Sequence, residues 1–78
     1  MTQVYDVLLQ VHGLRCPMPL LKTKQALSSM NSGQVLKIEA TDAGSWRDIP
    51  AFVDLTNHEL LNQEQNDEQF IFYILKGN

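Results

Sequence analysis

The sequence predicts an α+β fold with two layers, in which two helices pack on one face of a four-stranded mixed sheet. Three observations predict this class: four segments with strand patterns, two segments with helical spacing, and the order β-α-β-α-β-β in which they follow one another. A chain of 78 residues has room for one small core. We therefore expect residues 1–78 to form a single domain.

The first half of the chain predicts a parallel strand pair joined by a helix. Apolar and polar side chains alternate over Gln3–Val11, which is typical of a half-buried strand. A helix is predicted over Pro17–Met30, because Asn31-Ser32-Gly33 supplies residues that commonly end helices. A second alternating strand is predicted over Gln34–Thr41. The order strand, helix, strand implies a right-handed crossover between parallel neighbours.

The second helix is predicted over Ser45–Asn57, but its start is ambiguous. Ser45 and Asp48 resemble a capping box, in which case Pro50 lies inside the helix and removes one hydrogen bond. With Asp48 as the N-cap, Pro50 falls harmlessly in the first turn. We expect a distorted first turn from Ser45 to Asp48, then regular helix, with Trp46 in the core.

The last two strands differ in polarity. Leu60–Gln65 is polar, which suits a strand at the edge of the sheet. Gln69–Lys76 is apolar on both faces, which indicates a central strand or a face covered by a partner. The sequence leaves the oligomeric state open.

The turn Gly13-Leu14-Arg15-Cys16-Pro17-Met18-Pro19 contains the only cysteine of the chain and precedes the first helix. A residue before proline favours extended geometry, so Cys16 is predicted as the N-cap. Pro17 and Pro19 then occupy the first and third helical positions, where backbone N–H groups have no partner within the helix.

This position predicts a reactive thiol. The N–H groups of Met18 and Leu20, the helix dipole and neighbouring Arg15 all favour a thiolate at Cys16, and cysteines at helix N-termini can have a lowered pKa. The alternative is an inert, buried cysteine that acts as a small apolar side chain. The adjacent arginine and the two prolines favour the functional interpretation.

Composition and charge exclude several classes of protein. One cysteine, with only His12 and His58 as further soft ligands, argues against a disulfide framework and a metal site, and no cofactor-binding loop is found. A net charge of −3 disfavours direct nucleic-acid binding. The chain shows neither an N-terminal signal pattern nor a long apolar run, so we expect a cytoplasmic protein without a membrane segment.

With this turn in place, the chain resembles the TusA family of sulfur-carrier proteins, also called SirA-like, whose signature is Cys-Pro-x-Pro. The resemblance extends to the Arg47-Asp48-Ile49-Pro50 segment after Asp42, the His58-Glu59-Leu60 exit from the second helix, and the aromatic last strand. It implies that the cysteine accepts a sulfane sulfur as a persulfide from a cysteine desulfurase or a rhodanese-like protein. Downstream acceptor proteins serve tRNA thiolation, sulfur metabolism or cofactor biosynthesis.

Carried over to this chain, the resemblance makes Cys16 the residue that bears the sulfur. It implies that the flanking motif residues support the turn, namely Gly13, Leu14, Arg15, Pro17, Met18 and Pro19. A second set matches positions near the same end of the fold and is expected to support the site or dock a partner: Lys22, Asp42, Arg47 and Asp48. Lys22 also belongs to a cluster of basic residues on the first helix that suits an acidic partner surface, or is simply solvated.

One departure from the family and two alternative functions accompany this interpretation. Many family members carry aspartate where this chain has Gln10, so thiol tuning or partner choice is expected to differ. The first alternative is a non-catalytic binding or regulatory module, associated with RNA by fold analogy. The second is a thiol oxidoreductase, which would need a resolving cysteine from elsewhere.

Overall fold

Four strands form one mixed sheet in the computed structural model, which describes residues 4–78. The order across the sheet is β1-β2-β4-β3, with β1 parallel to β2 and the other neighbours antiparallel. The elements are β1 (Val7–Val11), α1 (Met18–Ser28), β2 (Val35–Ala40), α2 (Ser45–Asp54), β3 (Glu59–Gln65) and β4 (Phe70–Leu75). The predicted α+β class and the order β-α-β-α-β-β are confirmed. The predicted first residue of strand one, Gln3, lies outside the described residues.

The core lies between the helices and one face of the sheet. Alternate residues of β2 and β4 point into it, because successive side chains of a strand face opposite sides. Leu36, Ile38, Phe72 and Ile74 from these two strands have no exposed surface. Both helices close the same face, with fully or almost fully buried side chains that include Leu27, Ile49 and Val53. Each such side chain stabilises the fold by roughly 1.5–3 kcal/mol through burial.

The predicted positions of the last two strands are confirmed. β3 lies at the edge of the sheet, and β4 lies between β2 and β3. On the face away from the helices, Tyr73 is only 2% exposed, and the Lys37 ammonium lies 5.8 Å from the centre of its ring. The aliphatic part of a lysine can cover apolar surface while its charge stays in water. The second face of β4, which the sequence predicts to be apolar, is therefore covered at Tyr73 by side chains of the same protein.

Helix α2 differs from its predicted start. It is regular from Ser45, with Gly44 as the N-cap, so the predicted distorted turn from Ser45 to Asp48 is regular helix and Pro50 lies inside the helix. Proline cannot donate to the carbonyl four residues earlier, which here belongs to Trp46. That carbonyl instead accepts a hydrogen bond of 2.8 Å from the side-chain amide of Gln63 on β3. A side chain from the neighbouring strand thus replaces the bond that proline removes.

Trp46 lies at the margin of the core rather than within it. Its side chain is 36% exposed, and its ring centre is 5.9 Å from that of Phe70 and 6.1 Å from that of Phe72. The predicted core position is therefore only partly correct. The indole contacts the aromatic residues of β4 with one side while the other side faces solvent.

The end of the chain is attached to the loop after α2 through a histidine. The Gly77 backbone N–H donates a hydrogen bond of 2.9 Å to Nδ1 of half-buried His58, which requires that ring nitrogen to be unprotonated. Burial, together with the positive charge of Lys76, holds the pKa of His58 below its ordinary value of 6.5. The neutral ring is therefore the form that fits the fold.

We expect the stability of the fold to fall in mild acid because of His58. The unfolded chain binds a proton at this histidine more readily than the folded chain, so its stabilising contribution is complete above about pH 6.5 and is lost as the pH falls through the lower folded pKa. Thermal unfolding between pH 8 and pH 5 measures this loss.

The substitution His58→Asn, which keeps a side-chain acceptor that does not titrate, should reduce that pH dependence. An unchanged profile in His58→Asn would contradict the assignment.

Candidate functional site

The cysteine turn connects the carboxyl end of β1 to α1. Gly13 has a positive φ of 80°, a conformation that favours glycine, and its N–H donates a hydrogen bond of 2.8 Å to the Thr41 hydroxyl just after β2. Leu14 is half-buried against the core. The turn is thus fixed to the neighbouring strand and to the core, while Cys16 is exposed.

Helix α1 begins one residue later than predicted. Pro17 is the N-cap, because its carbonyl accepts the first helical hydrogen bond from Leu21, and Pro19 is the second helical residue. The predicted N-cap, Cys16, instead precedes the helix in a turn closed by a 2.8 Å hydrogen bond from the Met18 N–H to the Arg15 carbonyl. The Cys16–Pro17 peptide bond is cis.

The nearest polar partner of the thiol is a carboxylate. Cys16 Sγ donates a hydrogen bond of 3.2 Å to Oδ2 of Asp48, which lies in the first turn of α2. The two residues are far apart in sequence, and the fold brings them together because the N-terminal ends of both helices lie at the same edge of the sheet. Asp48 is therefore the site residue that contacts the sulfur directly.

The predicted lowering of the thiol pKa is wrong. The hydrogen bond to Asp48 is the main cause that raises the pKa of Cys16, with desolvation and the negative charges of Asp48 and Asp42 acting in the same direction. The charge of Arg47 opposes them. The Met18 N–H, which was expected to face the sulfur, donates to the Arg15 carbonyl instead. Carboxylates favour the protonated thiol, and here they outweigh the cation.

A second carboxylate lies beside the same helix start. An ideal Cβ built on Gly44 would lie 3.0 Å from Oδ2 of Asp42 and 3.8 Å from Oδ2 of Asp48. Three of the four predicted supporting residues therefore act on the cysteine. Asp48 accepts its hydrogen bond, and the charges of Asp42 and Arg47 shift its pKa in opposite directions. Lys22 is half-buried on α1.

A shallow groove runs between the two helices next to the site. Its volume is about 300 Å³, and it is lined by Leu20, Lys24, Asp48, Ala51, Phe52 and Leu55. The Lys24 ammonium lies 5.2 Å from the centre of the Phe52 ring, and Leu55 is 88% exposed. Sequence reasoning identified the basic cluster but missed this groove, although Phe52 and Leu55 have the three-residue spacing that places side chains on one helix face.

Gln10 does not take part in the cysteine turn. It is paired with Glu39 across β1 and β2 on the face of the sheet away from the helices, and its amide donates a hydrogen bond of 2.9 Å to the Glu39 carboxylate. The position at which the chain departs from the family, which was expected to affect the thiol, therefore bonds to Glu39, whereas the side-chain partner of Cys16 is Asp48.

Among residues 4–78, which the structure describes, no group of three or more His, Cys, Asp and Glu side chains is placed to hold a metal ion. Within the same range, no helix is long and apolar enough to cross a membrane.

Comparison with known proteins gives consistent matches along the chain. The family model described as Sulfurtransferase TusA matches residues 8–76. The sulfur carrier protein TusA of Allochromatium vinosum is 43% identical over 73 residues, which cover 94% of this chain and 96% of that protein. The putative sulfur carrier protein YrkI of Bacillus subtilis is 40% identical over 72 residues, with coverage of 92% and 96%.

A solved structure supports the fold. The crystal structure of the SirA-like protein from Desulfitobacterium hafniense superposes with a TM-score of 0.79 and covers 94% of this chain and all of that chain. Its sequence identity is 18%, so this likeness concerns the fold alone.

We expect Asp48→Asn to lower the pKa of the Cys16 thiol. Asparagine keeps the shape of the side chain but removes the negative charge that favours the protonated form. The rate of alkylation by iodoacetamide as a function of pH reports the thiolate fraction. At pH values below the wild-type midpoint, the variant should be alkylated severalfold faster.

The matched control is Asp54→Asn, which removes the same charge from an exposed position at the end of α2. If both variants gave the wild-type profile, the carboxylate would not control the thiol.

Proposed function

We propose that this chain, which belongs to the TusA family of sulfurtransferases, carries a sulfane sulfur atom as a persulfide on Cys16 and passes it to an acceptor protein. The observation that carries the proposal is an exposed thiol within hydrogen-bond distance of a carboxylate, in a turn fixed by the fold. The family membership supports the class of chemistry, and the exposed thiol in its fixed turn supports Cys16 as the residue.

Loading requires a thiolate and a donor persulfide. As the Asp48 carboxylate accepts the thiol proton, the Cys16 sulfur attacks the outer sulfur of the donor. A new sulfur–sulfur bond forms at Cys16, the donor's own sulfur–sulfur bond breaks, and the donor cysteine leaves as a thiolate that takes up a proton. No external oxidant is needed, because the sulfane sulfur moves between two thiols.

Release is the same exchange with the roles reversed. A thiolate of the acceptor attacks the terminal sulfur of the Cys16 persulfide, the bond to Cys16 breaks, and Cys16 leaves as a thiolate that regains its proton. One sulfur atom passes from the carrier to the acceptor, and the carrier returns to its starting state. The reaction is therefore a persulfide relay.

The raised thiol pKa suits the resting carrier. A protonated thiol resists oxidation, since oxidation starts from the thiolate. A thiolate with a higher pKa is also the intrinsically stronger nucleophile once it forms. The site thus combines a protected resting state with reactivity that depends on removal of one proton. A reducing compartment, the cytoplasm, completes this proposal because it keeps a single free cysteine reduced.

The groove beside the cysteine is the proposed docking surface for the sulfur donor, a cysteine desulfurase or a rhodanese-like protein. Asp48 lines the groove and also contacts the thiol, so a protein segment seated there lies next to the sulfur. Exposed Leu55 offers an apolar contact, and the charge of Lys24 favours an acidic side chain on the donor. The acceptor protein meets the same sulfur after the donor has left.

The direct experiment is intact-mass analysis after incubation with a cysteine desulfurase and free cysteine. Wild-type protein should gain the mass of one sulfur atom, and a reducing agent such as dithiothreitol should remove it. Cys16→Ser should gain none, because a hydroxyl does not form a persulfide. Equal labelling of the two proteins would refute the assignment of Cys16.

Docking can be separated from chemistry with two leucine variants. Leu55→Gln should slow sulfur transfer from the desulfurase severalfold, while loading by the small molecule polysulfide stays unchanged. Leu8→Gln, at an exposed leucine on the opposite face of the sheet, should leave both rates unchanged. A slower polysulfide reaction in Leu55→Gln would show that the leucine acts on the thiol rather than on the partner.

A further inference from the structure

The half-buried ring of His58 contacts both the segment after β4 and helix α2. Its Nδ1 accepts a hydrogen bond of 2.9 Å from the Gly77 backbone N–H. The centre of the same ring is 6.5 Å from that of Phe52, with an angle of 48° between the two ring planes. Tilted aromatic pairs at such a separation attract each other. One titratable side chain thus joins a residue beyond the last strand to an aromatic residue of α2.

Phe52 forms part of the wall of the groove beside the cysteine. It lines this groove together with Lys24 and Leu55, and the Lys24 ammonium lies 5.2 Å from the centre of its ring. The Phe52 ring therefore contacts a cation of α1 as well as the imidazole of His58. Its orientation depends on both neighbours, because each attracts the ring in a particular geometry. The shape of the groove wall is thus linked to a residue that does not line the groove.

The segment after β4 connects the loops that follow the two helices. The Ser32 hydroxyl, after α1, donates a hydrogen bond of 3.2 Å to the Gly77 carbonyl, and the Asn57 side-chain amide, after α2, donates one of 3.1 Å to the Asn78 carbonyl. An ideal Cβ built on Gly77 would overlap the Asn57 carbonyl, so this position has no room for a side chain. The bond from Gly77 to His58 belongs to this tight connection and fixes the ring from the side of the segment.

We propose that His58 is a positioning residue for docking of the sulfur donor, which holds Phe52 in the groove wall when its ring is neutral and releases it when the ring is protonated. The inference rests on the proposed function, because it concerns the groove in which a cysteine desulfurase is proposed to dock. It adds a residue outside the groove that controls docking, and it identifies pH as the condition that changes this control.

Protonation acts on both contacts of the ring. A protonated Nδ1 can no longer accept the Gly77 N–H, so the bond that fixes the ring is lost. A charged imidazole is also less stable in a half-buried position than in water. It is repelled by the Lys24 ammonium, which reaches the same Phe52 ring. The imidazolium therefore turns toward solvent, and Phe52 loses one of the two neighbours that orient it.

The charges around His58 favour its neutral form at neutral pH. Lys76, between β4 and Gly77, acts in the same direction as burial, and together they hold the pKa of His58 below its ordinary value of 6.5. Of the acidic residues near it in sequence, Asp54 at the end of α2 and Glu59 at the start of β3 are both exposed. The docking form of the groove is therefore the stable form at neutral pH, and mild acid changes it.

The test measures sulfur transfer from a cysteine desulfurase against carrier concentration, which gives KM and kcat, at about pH 8 and about pH 5.5. His58→Asn keeps an acceptor for the Gly77 N–H that does not titrate, and Phe52→Leu removes the ring through which the histidine acts. Asn57→Ala is the matched control, because it loosens the same segment but keeps the titrating ring. Each variant is compared with wild type at the same pH, so the pH dependence of the desulfurase cancels.

The ratio of the wild-type KM to that of His58→Asn should rise severalfold from the alkaline to the acid pH, while the kcat ratio stays constant. The same rise is expected relative to Phe52→Leu, and adding His58→Asn to Phe52→Leu should change nothing further. Asn57→Ala should keep the pH response of the wild type. Thermal unfolding at both pH values confirms that each variant is folded.

Loading by inorganic polysulfide provides a readout that needs no docking. In this reaction the Cys16 thiolate takes one sulfur atom, and the polysulfide becomes one sulfur shorter. At each pH, the rate should be the same in wild type, His58→Asn and Phe52→Leu. A difference that follows the KM ratio would show that the histidine acts on the thiol, and it would overturn the proposed role in docking.

The remaining results separate the two levels of inference. A KM ratio to His58→Asn that is equal at both pH values refutes the role of His58 and leaves the carrier function in place. The same conclusion follows if Phe52→Leu keeps the pH response, or if Asn57→Ala loses it. If wild-type protein takes up no sulfur from polysulfide or from the desulfurase, the proposed function itself is refuted.

Discussion

The parallel pairing of β1 with β2 is the constraint on which the site depends. Parallel neighbours end at the same edge of a sheet, so the loops that follow them are adjacent. The loop after β1 contains Cys16, and the loop after β2 contains Asp42 and leads into α2. The Gly13 N–H donates to the Thr41 hydroxyl across this edge and joins the two loops directly. Ligand sites commonly form in such a crevice at the carboxyl ends of parallel strands.

The early start of α2 is the second requirement. Because the helix is regular from Ser45, Asp48 lies in its first turn and reaches the thiol. That start places Pro50 inside the helix, where the carbonyl of Trp46 loses its usual donor. The side chain of Gln63 supplies a replacement from β3. An edge strand on the far side of the sheet thus stabilises the helix turn that carries a site residue.

The sequence predicted the order of the elements along the chain and the position of the cysteine turn before the first helix, because these depend on local patterns. Alternating side chains defined the strands, and a cysteine before proline marked the start of a helix. The direction of the thiol pKa depends instead on a contact between Cys16 and Asp48, which are distant in sequence. Arg15 is adjacent to the cysteine in sequence and suggested a cationic environment, but the fold brings a carboxylate closer. The start of α1 was predicted one residue too early for a local reason: the bond from the Met18 N–H to the Arg15 carbonyl closes a separate turn before the helix, and the residue types alone do not reveal it.

Asp48 links the chemistry of the site to its docking surface. Its carboxylate contacts the Cys16 thiol, and its side chain also lines the groove that Lys24 and Leu55 border. A protein that occupies the groove therefore excludes water from the carboxylate or places its own charges beside it. Either change alters the balance between thiol and thiolate, because that balance depends on the charges nearest the sulfur. If the groove is the docking surface proposed above, partner binding and the protonation of the thiol are coupled through the same side chain, Asp48.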